Sequence, residues 1–300
     1  MELRQLKTFQ VTASVASFTQ AAVLLGYAQS SITAQIQALE KELGVALFDR
    51  VGRNVRLTDA GEKLLTYANR LLDLAAEAQA VVSENGRLEG SICIAAPETV
   101  CTYRLPAVLR HFRDSHPEIR LTFQPMLDKD IYHGVKNGLV DFGFLLQEPV
   151  RSEGLTTEIL IDEPLLVFTS AADPLAASPR VRPEDLAGKT LLLTETGCGY
   201  RQLFEHAMTR AGIYSTVKLA FNSVEAIKQC VIAGLGIGFL PRVAIQRELD
   251  QGLLCPLAWE TPFRTFTQLV YRKDKWLSPA MRQFARLSLD MLRTGESDAG

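Results

Sequence analysis

Two groups of polar residues in this 300-residue chain are spaced so that they could hold a ligand. The first is Gln29, Ser30, Ser31, Thr33 and Ala34, at the start of a helical pattern. Small and amide-bearing side chains there allow close approach to a duplex groove and can hydrogen-bond base edges or phosphates. A helix N-terminus adds free N–H groups and a positive dipole for a phosphate. Just downstream, Val51 to Leu57 reads as a short hairpin, and Arg50, Arg53 and Arg56 are placed to touch a nucleic-acid backbone or minor groove. The second group lies on three turns that leave a strand and open a helix: Thr99, Cys101 and Thr102; Thr196, Gly197, Cys198, Tyr200 and Arg201; Asn222 and Ser223. Hydroxyls and free N–H groups at such turns suit a small, anionic ligand. Thr and Ser at helix starts also serve as plain caps, and Arg201 can equally pair with a nearby carboxylate.

Other chemistries find no support. Cys93, Cys101, Cys198, Cys230 and Cys255 form no C-x-x-C pair and no His/Cys cluster with zinc spacing, so neither a metal nor another cofactor is expected. Cys198 and His206, a pair that a hydrolase could use, are eight residues apart on one helix, about 12 Å and out of hydrogen-bond reach. No catalytic residue is assigned. The scattered thiols suit a reducing cytosol. The first residues lack the apolar core of a signal peptide and no run approaches a membrane span, so a cytoplasmic protein with no membrane partner is expected. The net charge is −2, but residues 1–58 carry +2 and the remainder −4, which places phosphate affinity at the N-terminal end.

These residues need elements to position them. Leu3, Leu6, Phe9 and Ala13 predict a first amphipathic helix. Ser17 with Gln20 matches a capping box for a second helix that buries Phe18, Ala21, Ala22 and Leu25 and stops at Gly26. Ser30 is placed to cap a third helix with its stripe of Ile32, Ile36, Leu39 and Leu43. Two short helices around a Gly-containing turn make a helix-turn-helix. Thr58 then caps a long helix on which Leu57, Ala60, Leu64, Tyr67, Leu71, Leu74, Ala78 and Val81 alternate spacings of three and four, the seam of a coiled coil. A single seam calls for a second copy, although Leu65, Leu72, Ala75 and Val82 widen the stripe enough for packing on the same chain. A dimer would set two reading helices about one DNA turn or more apart, and the site would be an interrupted inverted repeat of double-stranded DNA.

After a hinge at Asn85 to Gly90 the texture changes. Strands are predicted at 91–96, 120–124, 142–146, 165–169 and 190–194, and helices at 103–115, 131–137, 200–211, 224–233 and 279–292. That alternation implies α/β architecture with mostly parallel sheets. The glycines of Ile232 to Pro241 look only superficially like a phosphate loop, because they follow a helix, and are read as tight backbone packing.

The run from Phe18 to Arg50, F-T-Q-A-A-V-L-L-G-Y-A-Q-S-S-I-T-A-Q-I-Q-A-L-E-K-E-L-G-V-A-L-F-D-R, continued by R-L-T-D-A-G, resembles the DNA-binding domain of LysR-type transcription regulators. The resemblance implies an N-terminal all-α winged helix-turn-helix over 1–58, with the motif itself at about 18–37, and a linker and dimerisation helix with hinge over 59–89. It further implies a C-terminal effector domain over 90–300 with two α/β lobes like a type 2 periplasmic binding protein, lobe one at 91–161 and 266–300 and lobe two at 162–265. It makes Arg53 the wing arginine and likens the turn at Gly197 to Arg201 to an effector-pocket turn in one subset of the family. Thr33 departs from the usual serine, and Ala34 lacks the long side chain of some relatives. The implied partners are DNA, a small-molecule effector, RNA polymerase and further copies of the chain, as a homodimer through the linker helix and a homotetramer. Thiol-redox sensing is the alternative within the family, but its peroxide-sensing branch spaces two cysteines nine residues apart, and nine after Cys198 stands Ala207. A solute-binding protein would leave residues 1–58 without a use.

Overall fold

The computed structural model describes residues 1–51, 54–82, 90–214, 217–259 and 263–294. Helices α1 (Leu3–Val15), α2 (Phe18–Leu25) and α3 (Gln29–Leu43) are followed by a hairpin of β1 (Phe48–Val51) and β2 (Asn54–Leu57) and by the 24-residue helix α4 (Asp59–Val82). Ser17 Oγ accepts from the Gln20 N–H at 3.3 Å to open α2, and Gly26, at φ 68°, closes it. Helix α3 departs from expectation: Ala28, not Ser30, is its N-cap, because the extended Ala28 backbone already presents its carbonyl to the N–H groups of Ser31 and Ile32 at 3.0 and 3.2 Å. Thr58 caps α4 as expected, accepting from the Gly61 N–H at 3.0 Å. Leu6, Phe9, Ile36, Leu39, Leu47, Phe48, Leu65 and Ala68 form one core across α1, α3, the hairpin and the start of α4. Gly61 permits that junction, since a Cβ there would lie 2.2 Å from the Leu47 carbonyl oxygen.

The rest of the chain forms two five-stranded sheets with helices between their strands. In chain order the elements are β3 (Gly90–Ala96), α5 (Glu98–Tyr103), α6 (Leu105–Ser115), β4 (Ile119–Pro125), α7 (Asp128–Lys136), β5 (Phe142–Gln147), β6 (Leu155–Asp162) and β7 (Leu165–Ser170). They continue with β8 (Thr190–Thr194), α8 (Gly199–Arg210), β9 (Val217–Phe221), α9 (Val224–Ile232), β10 (Ile237–Pro241), α10 (Arg242–Asp250), β11 (Leu254–Pro256), β12 (Phe266–Arg272) and α11 (Pro279–Thr294). One sheet has the order β4-β3-β5-β12-β6 and the other β11-β7-β10-β8-β9. Pairs β3–β4, β3–β5, β8–β9 and β8–β10 are parallel, whereas β12 and β7 run antiparallel to both of their neighbours, so each sheet is mixed rather than parallel throughout. The chain passes between the sheets twice, from β6 to β7 and from β11 to β12.

The two crossings are fastened to each other. Glu163, 1% exposed, accepts from Arg104 Nε and Nη2 at 2.7 and 2.8 Å and from the Thr267 hydroxyl at 2.9 Å, while its backbone exchanges bonds with Thr265. Arg104 also separates α6, which begins two residues later than the helix expected over 103–115, from α5, a short helix the sequence pattern did not predict. Tight packing explains the glycine run before Pro241: a Cβ on Gly238 would lie 2.3 Å from the Phe168 ring.

Candidate functional site

The first site is the start of α3. Ile32, Ile36 and Leu39 turn inward, while Gln29, Ser30, Ser31 and Ala34 on the opposite face are exposed. No hydrogen bond within the described residues engages the Ser30 or Ser31 side chains; the Thr33 hydroxyl, half-buried, donates to the Gln29 carbonyl at 3.1 Å. Hydroxyls and an amide with no structural task, at the positive end of a 15-residue helix, can donate to and accept from a groove or a phosphate. In the adjoining hairpin Arg50 pairs with Val55 and Arg56 is exposed; Arg53 lies outside the described residues.

Along α4, Leu65, Ala68 and Asn69 are buried against the chain itself. Tyr67, Leu71 and Leu74 of the heptad seam stay exposed, Tyr67 at 62% and Leu74 at 60%. Packing on the same chain thus accounts for one side of the helix and for Leu57, Ala60 and Leu64 of the seam, and leaves Tyr67, Leu71 and Leu74 uncovered.

The second site is a cavity of about 420 Å³ between the two sheets, where the three expected turns meet a fourth at Pro125 to Asp130. Thr99, Cys198, Tyr200 and Asn222 line it, as do Glu98, Met126, Asp128, Asp130, Thr194, Glu195 and Phe221. Six expected residues do not. Cys101 turns its thiol to the Ala96 carbonyl at 3.2 Å; Thr102 and Thr196 are exposed outside the lining; Gly197, at φ 106°, packs near Leu127 and Lys129. Arg201 is buried with its guanidinium on the Thr194 carbonyl and Glu205, and Ser223 caps α9 by accepting from the Ala226 N–H at 3.3 Å. The bland readings, a cap for Ser223 and a carboxylate partner for Arg201, describe these two.

Two carboxylates cross the cavity. Glu98 Oε2 accepts from the Val224 N–H at the start of α9, at 2.9 Å. Asp128 Oδ2 accepts from the Gly199 N–H at the start of α8, at 3.1 Å, and its Oδ1 from the Leu146 N–H at 3.0 Å. Two of the three helix starts expected to receive an anionic ligand, those of α8 and α9, are thus filled by the chain's own carboxylates. Burial pushes the Asp128 carboxyl up to about 6 against the pull of its backbone donors, and it raises Glu98 as well. The turn at Met126 to Asp130 went unread because the sequence pattern begins its helix only at Ile131; β4 ending in Pro125, followed by two acidic residues at a helix start, is the signal it carries.

The family model for bacterial regulatory helix-turn-helix proteins of the lysR family matches residues 3–62, and the LysR substrate binding domain matches residues 85–293. The chain belongs to the LysR family of transcriptional regulators. Among relatives of this LysR-type regulator, the HTH-type transcriptional regulator YwqM of Bacillus subtilis (strain 168) is 39% identical over 289 residues, which is 96% of this chain and 98% of that protein. The fold is that of a full-length OxyR variant from Pseudomonas aeruginosa, with TM-score 0.73, 24% identity and coverage of 98% and 95% of the two chains. The full-length CbnR complexed with its target DNA superposes with TM-score 0.52 at 25% identity, covering 98% of this chain and 100% of that one. The family is one of regulators rather than enzymes. Among the described residues of the LysR-type chain no helix is long and apolar enough to cross a membrane.

Proposed function

We propose that this regulator binds double-stranded DNA as a homodimer, reading an interrupted inverted repeat with two copies of α3 and tuning that binding through a small molecule held between the lobes of its sensor. The observation that carries the reading is the pairing of an exposed, uncommitted polar start on α3 with an exposed apolar seam on α4, the helix that directly follows the winged unit. The structural likeness to CbnR, itself seen in complex with target DNA, supports it. Gln29, Ser30, Ser31, Thr33 and Ala34 are assigned to the groove, and Arg50 and Arg53 to the phosphate backbone. Thr99, Cys198, Tyr200 and Asn222 are assigned to the effector. The domain limits follow as 1–58, 59–89 and 90–300, and the working compartment is the cytoplasm, where the DNA is met. A homotetramer and contact with RNA polymerase complete the reading: effector closes the lobes, the lobes repack among four copies, and the angle between paired DNA-binding units changes.

Selection of genomic fragments by the purified full chain, followed by footprinting, tests the proposal. Protection of two half-sites about one helical turn or more apart is expected. A monomer with no preference over random duplex at moderate ionic strength would overturn it.

A further inference from the structure

The lining of the interlobe cavity specifies the charge of the molecule it would take. This inference rests on the effector reading above. Of the four helix starts on the lining, those of α9 and α8 are closed off by Glu98 and Asp128, so a ligand carboxylate or phosphate arriving at either would have to displace a tethered competitor of its own kind. The other ionisable carboxylates on the lining, Asp130 and Glu195, are both exposed, and the lining contains no Lys, Arg or His.

Two basic side chains of this neighbourhood, Lys228 and Arg201, are engaged elsewhere, and Lys129 lies outside the lining. Lys228 is held by Glu225 and Glu248 at 2.7 and 2.9 Å, Arg201 by the Thr194 carbonyl and Glu205, and Lys129 lays its stem beside Gly197 outside the lining. Thr194, 9% exposed at the end of β8, keeps its hydroxyl buried beside the Cys198 and Tyr200 side chains. Met126 and Phe221 supply apolar surface, and about 420 Å³ is the size of a small-molecule site.

We propose that the effector is a small organic cation, an amine or guanidinium compound, whose positive end is held by Glu98, Asp130 and Glu195 while its body lies along Met126 and Phe221. An ammonium or guanidinium donates several hydrogen bonds and accepts none, which matches a rim of carboxylate acceptors.

The test uses the full chain and two series of probes at matched ionic strength: putrescine, cadaverine, agmatine and methylguanidinium against succinate, glutarate and phosphoglycolate. Thermal melting and calorimetric titration should show a saturable shift with at least one cation and none with the anions. The same cation should bind about tenfold or more weakly to the chain carrying both D130N and E195Q. Because Asp130 and Glu195 are exposed, melting without probe reports separately whether that variant folds. Saturable binding of an anion, lost in N222A, would overturn the charge assignment and keep the cleft as an effector site. Silence from both series, or cation binding indifferent to D130N and E195Q, would overturn the proposal outright. Failure of the regulator reading itself would show instead as loss of any DNA sequence preference, which none of these titrations measures.

Discussion

Arg272, the last residue of β12, is ion-paired with Asp73 on the inner side of α4. Lys275 reinforces the junction, 3.5 Å from Asp73 and 2.9 Å from Asp141, and the Gln10 and Asn69 amides meet at 2.6 Å while Gln10 also reaches the Gly138 carbonyl. The DNA-reading unit and the stem are thereby tied to the first lobe by polar contacts that exclude water, Arg272 being only 5% exposed.

Removing one partner of such a pair strands the other. Asp73→Ala is expected to destabilise the chain by about 1–3 kcal/mol, read as a fall of several degrees in melting temperature, and Asp73→Glu should recover part of it. A melting curve identical to wild type would show that the pair contributes nothing.

Asp128 gives a pH signature. Its folded carboxyl titrates near 6 against an ordinary value of 3.8, chiefly through burial. The native state therefore holds its proton more tightly, and the stability due to this group is fullest at low pH, declines as pH rises through that window and is flat above it. Relative to Asp128→Asn, wild type should lose on the order of 3 kcal/mol between about pH 4 and pH 7, measured by urea denaturation at each pH. Parallel stability profiles for the two proteins would contradict the assignment.

The cysteines bear on how the sensor works. Burial pushes Cys198 up to about 11, Cys93 to about 11 and Cys101 to about 12. At neutral pH the thiolate needed for reaction with peroxide is then rare, and native Cys198 should alkylate about a hundredfold or more slowly than free cysteine. Pulsed iodoacetamide labelling with mass spectrometry measures this; rapid labelling of Cys198 would restore thiol sensing as the mechanism.

A charge on the stem should separate the copies. Leu74→Lys places an ammonium in the exposed seam, and sedimentation at micromolar concentration should show a shift from dimer toward monomer with DNA affinity falling alongside. An unaltered dimer would move the interface off this face of α4.

Local chemistry made the N-terminal half legible: Ser17, Gly26 and Thr58 punctuate the chain with side chains whose capping bonds depend on near neighbours alone. Ala28 escaped notice because its capping is done by a backbone carbonyl, which every residue possesses. Strands β6 and β12 were unread for another reason. They pair with each other across more than a hundred residues, and with Arg104 and Glu163 they settle a crossing that no short window contains. The cleft was half visible. Turns carrying Thr99, Cys198, Tyr200 and Asn222 announce themselves by position, but whether Glu98 and Asp128 face solvent or reach over to a helix start in the other lobe depends on tertiary packing.

Strand β12 begins beside Thr265, at the crossing between the two sheets, and ends at Arg272, where the stem is gripped. Its seven residues span about 23 Å, paired with β6 throughout and with β5 as far as Val270, with one register shift between Thr267 and Gln268. The crossing between the sheets and the helix that carries the reading heads are thus joined through one strand, which makes β12 a direct bridge from sensor to stem.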